Sequence, residues 1–180
     1  MRTALALFLL LPLAACQAPG AQAPAFQIAF AVDTIAAEVA VLDVVNSTQG
    51  ALVPTGDLRK LTRSWLLDEG FTPLSMQYVD SYSVRQQVAA DVRVPGAAVM
   101  SMQVLSWKDT HLASRGQLNA QVDFVMYSPD GVVQYRGAGL LEIRLSAGQQ
   151  ASLSPDGRVE AVLEQLVDEV LAGFPQPEPL

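Results

Sequence analysis

Apolar and polar residues alternate most regularly in the second half of the chain. Every second position from Leu118 to Met126 is apolar, with Asn, Gln and Asp at positions 119, 121 and 123, which is typical of a half-buried strand. The sequence Ser-Pro-Asp-Gly at 128–131 favours a reverse turn. A second strand is predicted from Val132 to Leu145, so residues 117–145 are predicted to form a β-hairpin.

Continuous apolar runs predict strands inside a sheet. Glu38–Val45 is rich in β-branched residues, and Ala97–Trp107 is apolar along most of its length, as expected for strands covered on both faces. Phe71–Tyr78 also has strand character, interrupted by Pro73, and Val84–Ala90 is predicted as a short helix. The folded part is predicted to begin near Phe26.

Two longer segments have the spacing of amphipathic helices. The first is Thr55–Glu69, with Gly70 placed to end it, and the second begins at 154–158 with Ser154 or Asp156 as a cap. The acidic residues of the second helix are predicted to lie on its solvated face: Glu160, Glu164, Asp168 and Glu169. The elements predict a single α/β (α+β) domain, a mixed sheet with helices packed on it.

The N-terminus has the layout of a secretory signal. Arg2 precedes an uncharged, Leu-rich run that ends at Ala15, and the run is shorter than the about 20 residues that span a bilayer. The residues Leu13, Ala14, Ala15 and Cys16 resemble the lipobox of bacterial lipoproteins. That resemblance implies cleavage before Cys16 and lipid linked to its sulfur. The alternatives are an ordinary signal that ends near a cysteine, or a buried cysteine in a long helix.

The lipobox divides the chain of 180 residues into four parts. The predicted divisions are a signal peptide at 1–15, a lipidated cysteine with a flexible Pro- and Ala-rich tether at 16–25, one α/β domain at 26–174, and a Pro-rich tail at 175–180. Gln17, rather than Asp, follows the cysteine, and by resemblance to enterobacterial lipoprotein sorting this favours the outer membrane.

The charge of the chain excludes some partners. The net charge is −7, and loss of Arg2 with the signal leaves ten basic against eighteen acidic residues, or −8. This balance argues against nucleic acid and against electrostatic adhesion to anionic lipid. Multiple acyl chains on Cys16 would hold the protein on a membrane without such adhesion.

Candidate residues for chemistry are few. His111 is the single histidine, with Asp109 and Ser114 near it in sequence only, and no serine lies in a Gly-x-Ser-x-Gly elbow. With Cys16 acylated, the remaining residues do not suggest a metal site, and no cofactor is predicted. The Gly-x-Gly at 137–139 is interpreted as close backbone packing or a bulge within a strand.

The two tryptophans are candidates for ligand contact. Trp65 lies on the apolar stripe of its predicted helix, which favours core packing over a ligand groove. Trp107, at a predicted strand end, is a weak candidate for binding an apolar ligand.

Three stretches carry a family resemblance: 39–48, 96–107 and 125–139. They resemble a family of bacterial outer-membrane lipoproteins of unknown function whose domain is similar to the TolB N-terminal domain and to the periplasmic domain of CsgG-type lipoproteins. The resemblance implies an α/β fold and a place in the cell envelope. It brings no catalytic residues to this chain.

Three functions follow as hypotheses. The first is a non-enzymatic, lipid-anchored protein on the periplasmic side of the outer membrane, acting through contacts with other envelope proteins or with its own copies. The second is an auxiliary lipoprotein of an envelope transport system that binds a lipid or another small apolar ligand near Trp107. The third is an envelope hydrolase that uses His111.

Overall fold

The protein is described here from a computed structural model, which covers residues 24–83 and 91–178. This part of the chain contains nine strands and five helices. The strands are β1 (Gln27–Ala31), β2 (Thr34–Ile35), β3 (Glu38–Val41), β4 (Val45–Asn46), β5 (Thr72–Pro73), β6 (Ala98–Lys108), β7 (Gln117–Tyr127), β8 (Val133–Arg144) and β9 (Gln176–Pro177). The helices are α1 (Thr55–Asp68), α2 (Met76–Ser83), α3 (Leu112–Arg115), α4 (Ala147–Ser152) and α5 (Pro155–Val170).

Seven strands form one mixed sheet, in the order β1-β8-β7-β6-β3-β5, with β4 also paired to β6. The pairs among β1, β8, β7 and β6 are antiparallel. The pairs β6-β3, β6-β4 and β3-β5 are parallel. The prediction of a single α/β domain with a mixed sheet is therefore confirmed. A separate two-stranded parallel pair, β2 and β9, ties the segment after β1 to residues of the predicted Pro-rich tail.

The predicted hairpin is the β7-β8 pair. Its register runs from Gln117 opposite Arg144 to Tyr127 opposite Val133, and the residues of β7 alternate between buried and half-buried along its length. The Ser128 amide donates to the Val132 carbonyl, and Gly131 takes a φ of +86° in the turn. The alternation of apolar and polar residues and the Ser-Pro-Asp-Gly turn therefore predicted this hairpin correctly.

Helices α1 and α5 cover one face of the sheet and enclose the main core. The Ser154 hydroxyl caps α5 by accepting a hydrogen bond from the Gly157 amide, and Gly70 ends α1 with a φ of +87°, so the predicted ends of both helices are confirmed. A T-shaped cluster of aromatic rings fills this core around Phe174. A smaller core on the other face packs Val79 of α2 against Ala40 and Val99.

Two strand predictions were wrong in extent. The predicted strand at 71–78 is only Thr72–Pro73, because α2 begins at Met76. The predicted strand at 38–45 is interrupted after Val41, because its pairing with β6 shifts: Val41 lies opposite Met100, whereas Val45 lies opposite Gln103. The helix predicted at Val84–Ala90 lies outside the described residues.

Candidate interaction surfaces

The lipobox lies outside the described residues, so lipidation of Cys16 stays a prediction. The described chain begins at position 24, and its first sheet contact is the bridge between Ala25 and Leu140. In the described part, no helix is long and apolar enough to cross a membrane.

His111 lies in an exposed turn just before the short helix α3. It borders a cavity of about 270 Å³ together with Lys108, Asn119 and Arg144. Within residues 24–83 and 91–178, no hydrogen bond joins the His111 side chain to Asp109 or Ser114, and no three His, Cys, Asp or Glu side chains are grouped to hold a metal ion. The described geometry thus does not build an acid–base pair around His111.

The two tryptophans have different surroundings. Trp107 is 6% exposed in the main core, and its indole Nε1 has no hydrogen-bond partner among the described residues. Its role in binding a ligand stays a prediction. Trp65 is half-buried and meets the Phe174 ring at 5.8 Å between centroids, which agrees with packing against the core. It also lines a surface groove.

The Gly-x-Gly of β8 gives room to the two residues just before β1, Ala25 and Phe26. A Cβ on Gly139 would lie 2.5 Å from the Ala25 carbonyl oxygen, and one on Gly137 would meet the Phe26 ring. Gly139 also has a φ of +140°, a conformation that other residues rarely adopt. This geometry supports the interpretation as close backbone packing.

Arg59 joins three elements at the end of the parallel strands. Its side chain, on α1, donates to the Val41 carbonyl at 3.0 and 2.8 Å, to Asp43 at 2.5 Å and to Asp80 of α2 at 2.6 Å. Upstream, the carbonyls of Ala37 and Val39 accept from amides in and just after β5. Arg59 therefore takes the place of a β5 amide at the next carbonyl along β3.

Arg63, one turn after Arg59 on α1, also donates hydrogen bonds to backbone carbonyls, here at the end of β5 and just after it. It donates to the carbonyls of Leu74 and Pro73. Burial lowers the pKa of Arg63, and the nearby charge of Arg59 lowers it further. Arg59 binds a backbone carbonyl and two carboxylates of this chain, and Arg63 binds two backbone carbonyls, so the cluster is a structural one.

A groove runs between α1 and α5 on the outer surface of the molecule. It consists of two adjoining cavities of about 330 and 200 Å³ that share Leu61. We call it the α1–α5 groove, and it is lined by Asp57, Lys60, Leu61, Ser64, Trp65, Asp68, Asp156, Val159, Glu160, Leu163, Glu164, Val167 and Asp168. Its rim is acidic and its floor is apolar.

Strand β1 is the second notable surface. It lies at one end of the sheet, pairs with β8 on one side, and all five of its residues are exposed. The sequence Gln-Ile-Ala-Phe-Ala carries no charge. The side chains of Ile28 and Phe30 are 44% and 48% exposed. An exposed, uncharged, apolar edge strand is a template for pairing with another chain.

Comparison with known proteins shows the fold but no family. A search of protein-family models finds no match, and neither does a search of curated proteins. Among solved structures, the PelC dodecamer from Paraburkholderia phytofirmans matches with a TM-score of 0.56 and 14% identity, covering 87% of this chain and all of that one (100%). The chain has the fold of the PelC subunit.

Two further structures are similar. A variant of the PelC dodecamer in another crystal form gives a TM-score of 0.53 at 14% identity, covering 84% of this chain and 97% of that one. The lipoprotein GNA1162 from Neisseria meningitidis gives 0.48 at 15% identity, covering 76% and 97%. The match to PelC agrees with the predicted α/β domain, whereas the resemblance to the TolB N-terminal and CsgG-type domains stays a prediction.

Proposed function

We propose that the protein is a lipid-anchored component of the bacterial cell envelope, held through Cys16 on the periplasmic side of the outer membrane, and that it acts through protein contacts without catalysis. The lipobox at 13–16 and Gln17 after it support the anchor and its location. The fold supports the mode of action, because the PelC subunit that shares it assembles into a dodecamer.

One observation carries the proposal of protein contacts, namely the edge of β1 with which no strand of the described residues pairs. An uncharged edge strand with exposed Ile28 and Phe30 offers backbone groups and apolar side chains together. In a chain with a net charge of −7, this is a surface on which two copies can meet without facing like charges. We therefore propose self-association through β1.

The anchor would place this edge close to the membrane. Eight residues lie between Cys16 and Ala25, which bridges to Leu140 of the sheet, so the segment from one to the other has nine Cα–Cα steps. Fully extended, such a segment spans about 30 Å. Copies held by tethers of this length share a thin layer above the bilayer, which raises their effective concentration for association along β1.

The first experiment replaces Cys16, the residue proposed to carry the lipid anchor. In cells fed an alkyne-labelled fatty acid, the wild-type chain should take up label and fractionate with outer membranes. Cys16→Ser should take up none and lose its firm attachment to the outer membrane, because the sulfur that carries diacylglycerol is gone. Label on Cys16→Ser, or its unchanged retention in carbonate-washed outer membranes, would refute the proposed anchor.

A neighbouring variant provides the control and tests location. Gln17→Asp leaves the cysteine intact, so labelling should be unchanged, whereas the proposed sorting rule predicts a shift from the outer to the inner membrane in an enterobacterial host. Protease added to intact cells should leave the wild-type chain uncut, and cutting should begin once the periplasm is opened. Cutting in intact cells would contradict the periplasmic orientation.

A further inference from the structure

The α1–α5 groove has an apolar floor beside its acidic rim, whereas a helix face that only contacts water is polar throughout. Its floor is apolar, with Leu163 and Val167 buried and Leu61, Trp65 and Val159 half-buried. Its two helices run side by side in the same direction, since both of their first turns line one end of the groove and both last turns line the other. With a rise of 1.5 Å per residue, the groove extends about 17 Å from Asp57 to Asp68, or three helical turns.

The rim of the groove carries charge of almost one sign. Six carboxylates and a single ammonium line it, a net charge of −5. The ammonium, on Lys60, lies 3.2 Å from Asp57 and is thus already paired. Within the described residues, no ion pair neutralises the carboxylates that α5 contributes. They are Asp156, Glu160, Glu164 and Asp168.

The spacing of the α5 carboxylates is unfavourable for an isolated helix. Each lies four residues from the next, the separation at which like charges on a helix face repel. The one basic residue of α5, Arg158, is engaged elsewhere, because its guanidinium donates to the carbonyls of Gln150, Ala113 and Ser114. A repulsive row of charges beside an apolar floor gains stability when a cationic, apolar partner binds.

The negative electrostatic potential is greatest at one end of the groove. Asp68 and Asp168 lie in the last turns of α1 and α5, and neither last turn contains a basic residue. The C-terminus of a helix is the negative end of its dipole, so two helix ends and two carboxylates reinforce one another there. A cation on the partner is most favourable at this end.

We propose that the α1–α5 groove binds a basic amphipathic helix of a partner protein, about three turns long. Its apolar face, with residues at i, i+3, i+4 and i+7, lies on the floor, and its Lys and Arg residues flank that face and pair with the acidic rim. The inference rests on the proposed function, because it names the chemistry of a partner in the protein contacts. It uses a surface separate from β1 and from the anchor.

A designed peptide tests the proposal with the secreted, full mature Cys16→Ser chain. The probe is a 14-residue Leu/Lys peptide patterned as an amphipathic helix, and the control peptide has the same composition with the pattern scrambled. Binding is measured by calorimetry and by tryptophan fluorescence, to which Trp65 in the groove and the buried Trp107 both contribute. We expect the patterned peptide to bind and change the emission, and the scrambled peptide to bind much more weakly.

Two variants separate charge from apolar contact. Glu160→Gln/Glu164→Gln/Asp168→Asn removes three carboxylates without changing side-chain shape, and we expect about tenfold weaker binding, since each exposed ion pair contributes modestly. Leu61→Ser should weaken binding at every salt concentration, because it changes the floor. The control Asp33→Asn/Asp109→Asn removes two exposed carboxylates outside the groove and should retain wild-type affinity.

Several outcomes would overturn the proposal. They are equal binding of patterned and scrambled peptides, equal loss in the control and groove variants, or unchanged affinity in both groove variants. Circular dichroism of each variant checks that the fold is retained. None of these outcomes affects labelling of Cys16 or association through β1, so failure of the groove proposal is distinguishable from failure of the proposed function.

Discussion

At the scale of single residues, Arg59 of α1 joins β3, α2 and the segment after β3. Its guanidinium is almost fully buried, while the carboxylates of Asp43 and Asp80 that it binds remain 77% and 42% exposed. Those carboxylates can be solvated by water if Arg59 is lost. The Val41 carbonyl, which accepts two of the arginine's hydrogen bonds in a buried position, has less access to water.

Replacing Arg59 should therefore destabilise the fold mainly through an unsatisfied carbonyl. We expect Arg59→Met to lower the free energy of unfolding by about 1–3 kcal/mol, the cost of a buried polar group without a partner. Asp43→Asn should lower it by less than about 1 kcal/mol, because Asp43 is an exposed carboxylate whose ion pair with Arg59 is screened by water. Urea denaturation of both variants measures the difference, and an equal effect of the two substitutions would contradict this account.

Tyr135 links β8 to the end of α5 through a hydrogen bond from its hydroxyl to the Val170 carbonyl, at 2.9 Å. Burial raises the pKa of Tyr135 to about 12, above the value of about 10 for an exposed tyrosine. Between these two values the unfolded chain loses the proton while the folded chain keeps it. The contribution of this group to stability is therefore complete below pH 10 and falls as the pH rises toward 12.

Tyr135→Phe tests this dependence. At neutral pH the variant should lose about 1 kcal/mol of stability with its hydrogen bond. Between pH 10 and 11, where denaturation can still be followed, its stability should fall less steeply than that of the wild-type chain. Tyr127→Phe, which removes a half-exposed phenol from the same sheet, keeps Tyr135 and should retain the wild-type decline. Parallel curves for Tyr135→Phe and wild type would contradict the assignment.

At the scale of elements, the hydrophobic pattern predicted the strands and helices in which buried residues recur at regular spacing. The alternation in β7, the apolar run of β6 and the stripes of α1 and α5 each reflect one regular packing surface. The short β5 and the break after Val41 depend instead on Arg59 and Arg63, which come from a different element. No local periodicity contains that information.

The position of strand β1 and the apolar floor of the α1–α5 groove likewise could not be predicted from local sequence periodicity. All residues of β1 are exposed, so it has no alternation, and its place depends on two glycines of β8 more than 100 positions later. Four acidic residues of α5 were predicted to lie on a solvated face; Glu160, Glu164 and Asp168 are exposed, whereas Glu169 is half-buried. The apolar floor beside them becomes visible only when α1, nearly 100 residues earlier, is packed against α5.

At the scale of the whole molecule, two surfaces of opposite character share one acidic chain. The groove is charged, and its proposed partner is attracted through the field of its rim, so added salt should weaken that contact. The β1 edge is uncharged in a molecule with a net charge of −7. Approach of a second copy is therefore opposed by the net charges of both molecules, and salt that screens this repulsion should strengthen association.

This contrast gives a prediction for self-association through β1. The secreted, full mature Cys16→Ser chain should sediment as larger species when the salt concentration is raised from 20 to about 300 mM, where the Debye length falls below ~10 Å. Phe30→Lys places a charge on the edge and should shift the distribution toward monomer at both concentrations. Leu52→Lys is the matched control, because Leu52 is 91% exposed in a loop, and it should behave like the wild-type chain.

The alternatives differ in measurable ways. If a basic surface of one copy bound in the acidic groove of another, salt would act in the opposite direction and Phe30→Lys would leave the sedimentation profile unchanged. If exposed apolar residues in general caused association, Leu52→Lys would reduce it as much as Phe30→Lys does. Only an edge that is both uncharged and apolar predicts stronger association with salt together with selective loss in Phe30→Lys, so the two measurements jointly assign the contact to β1.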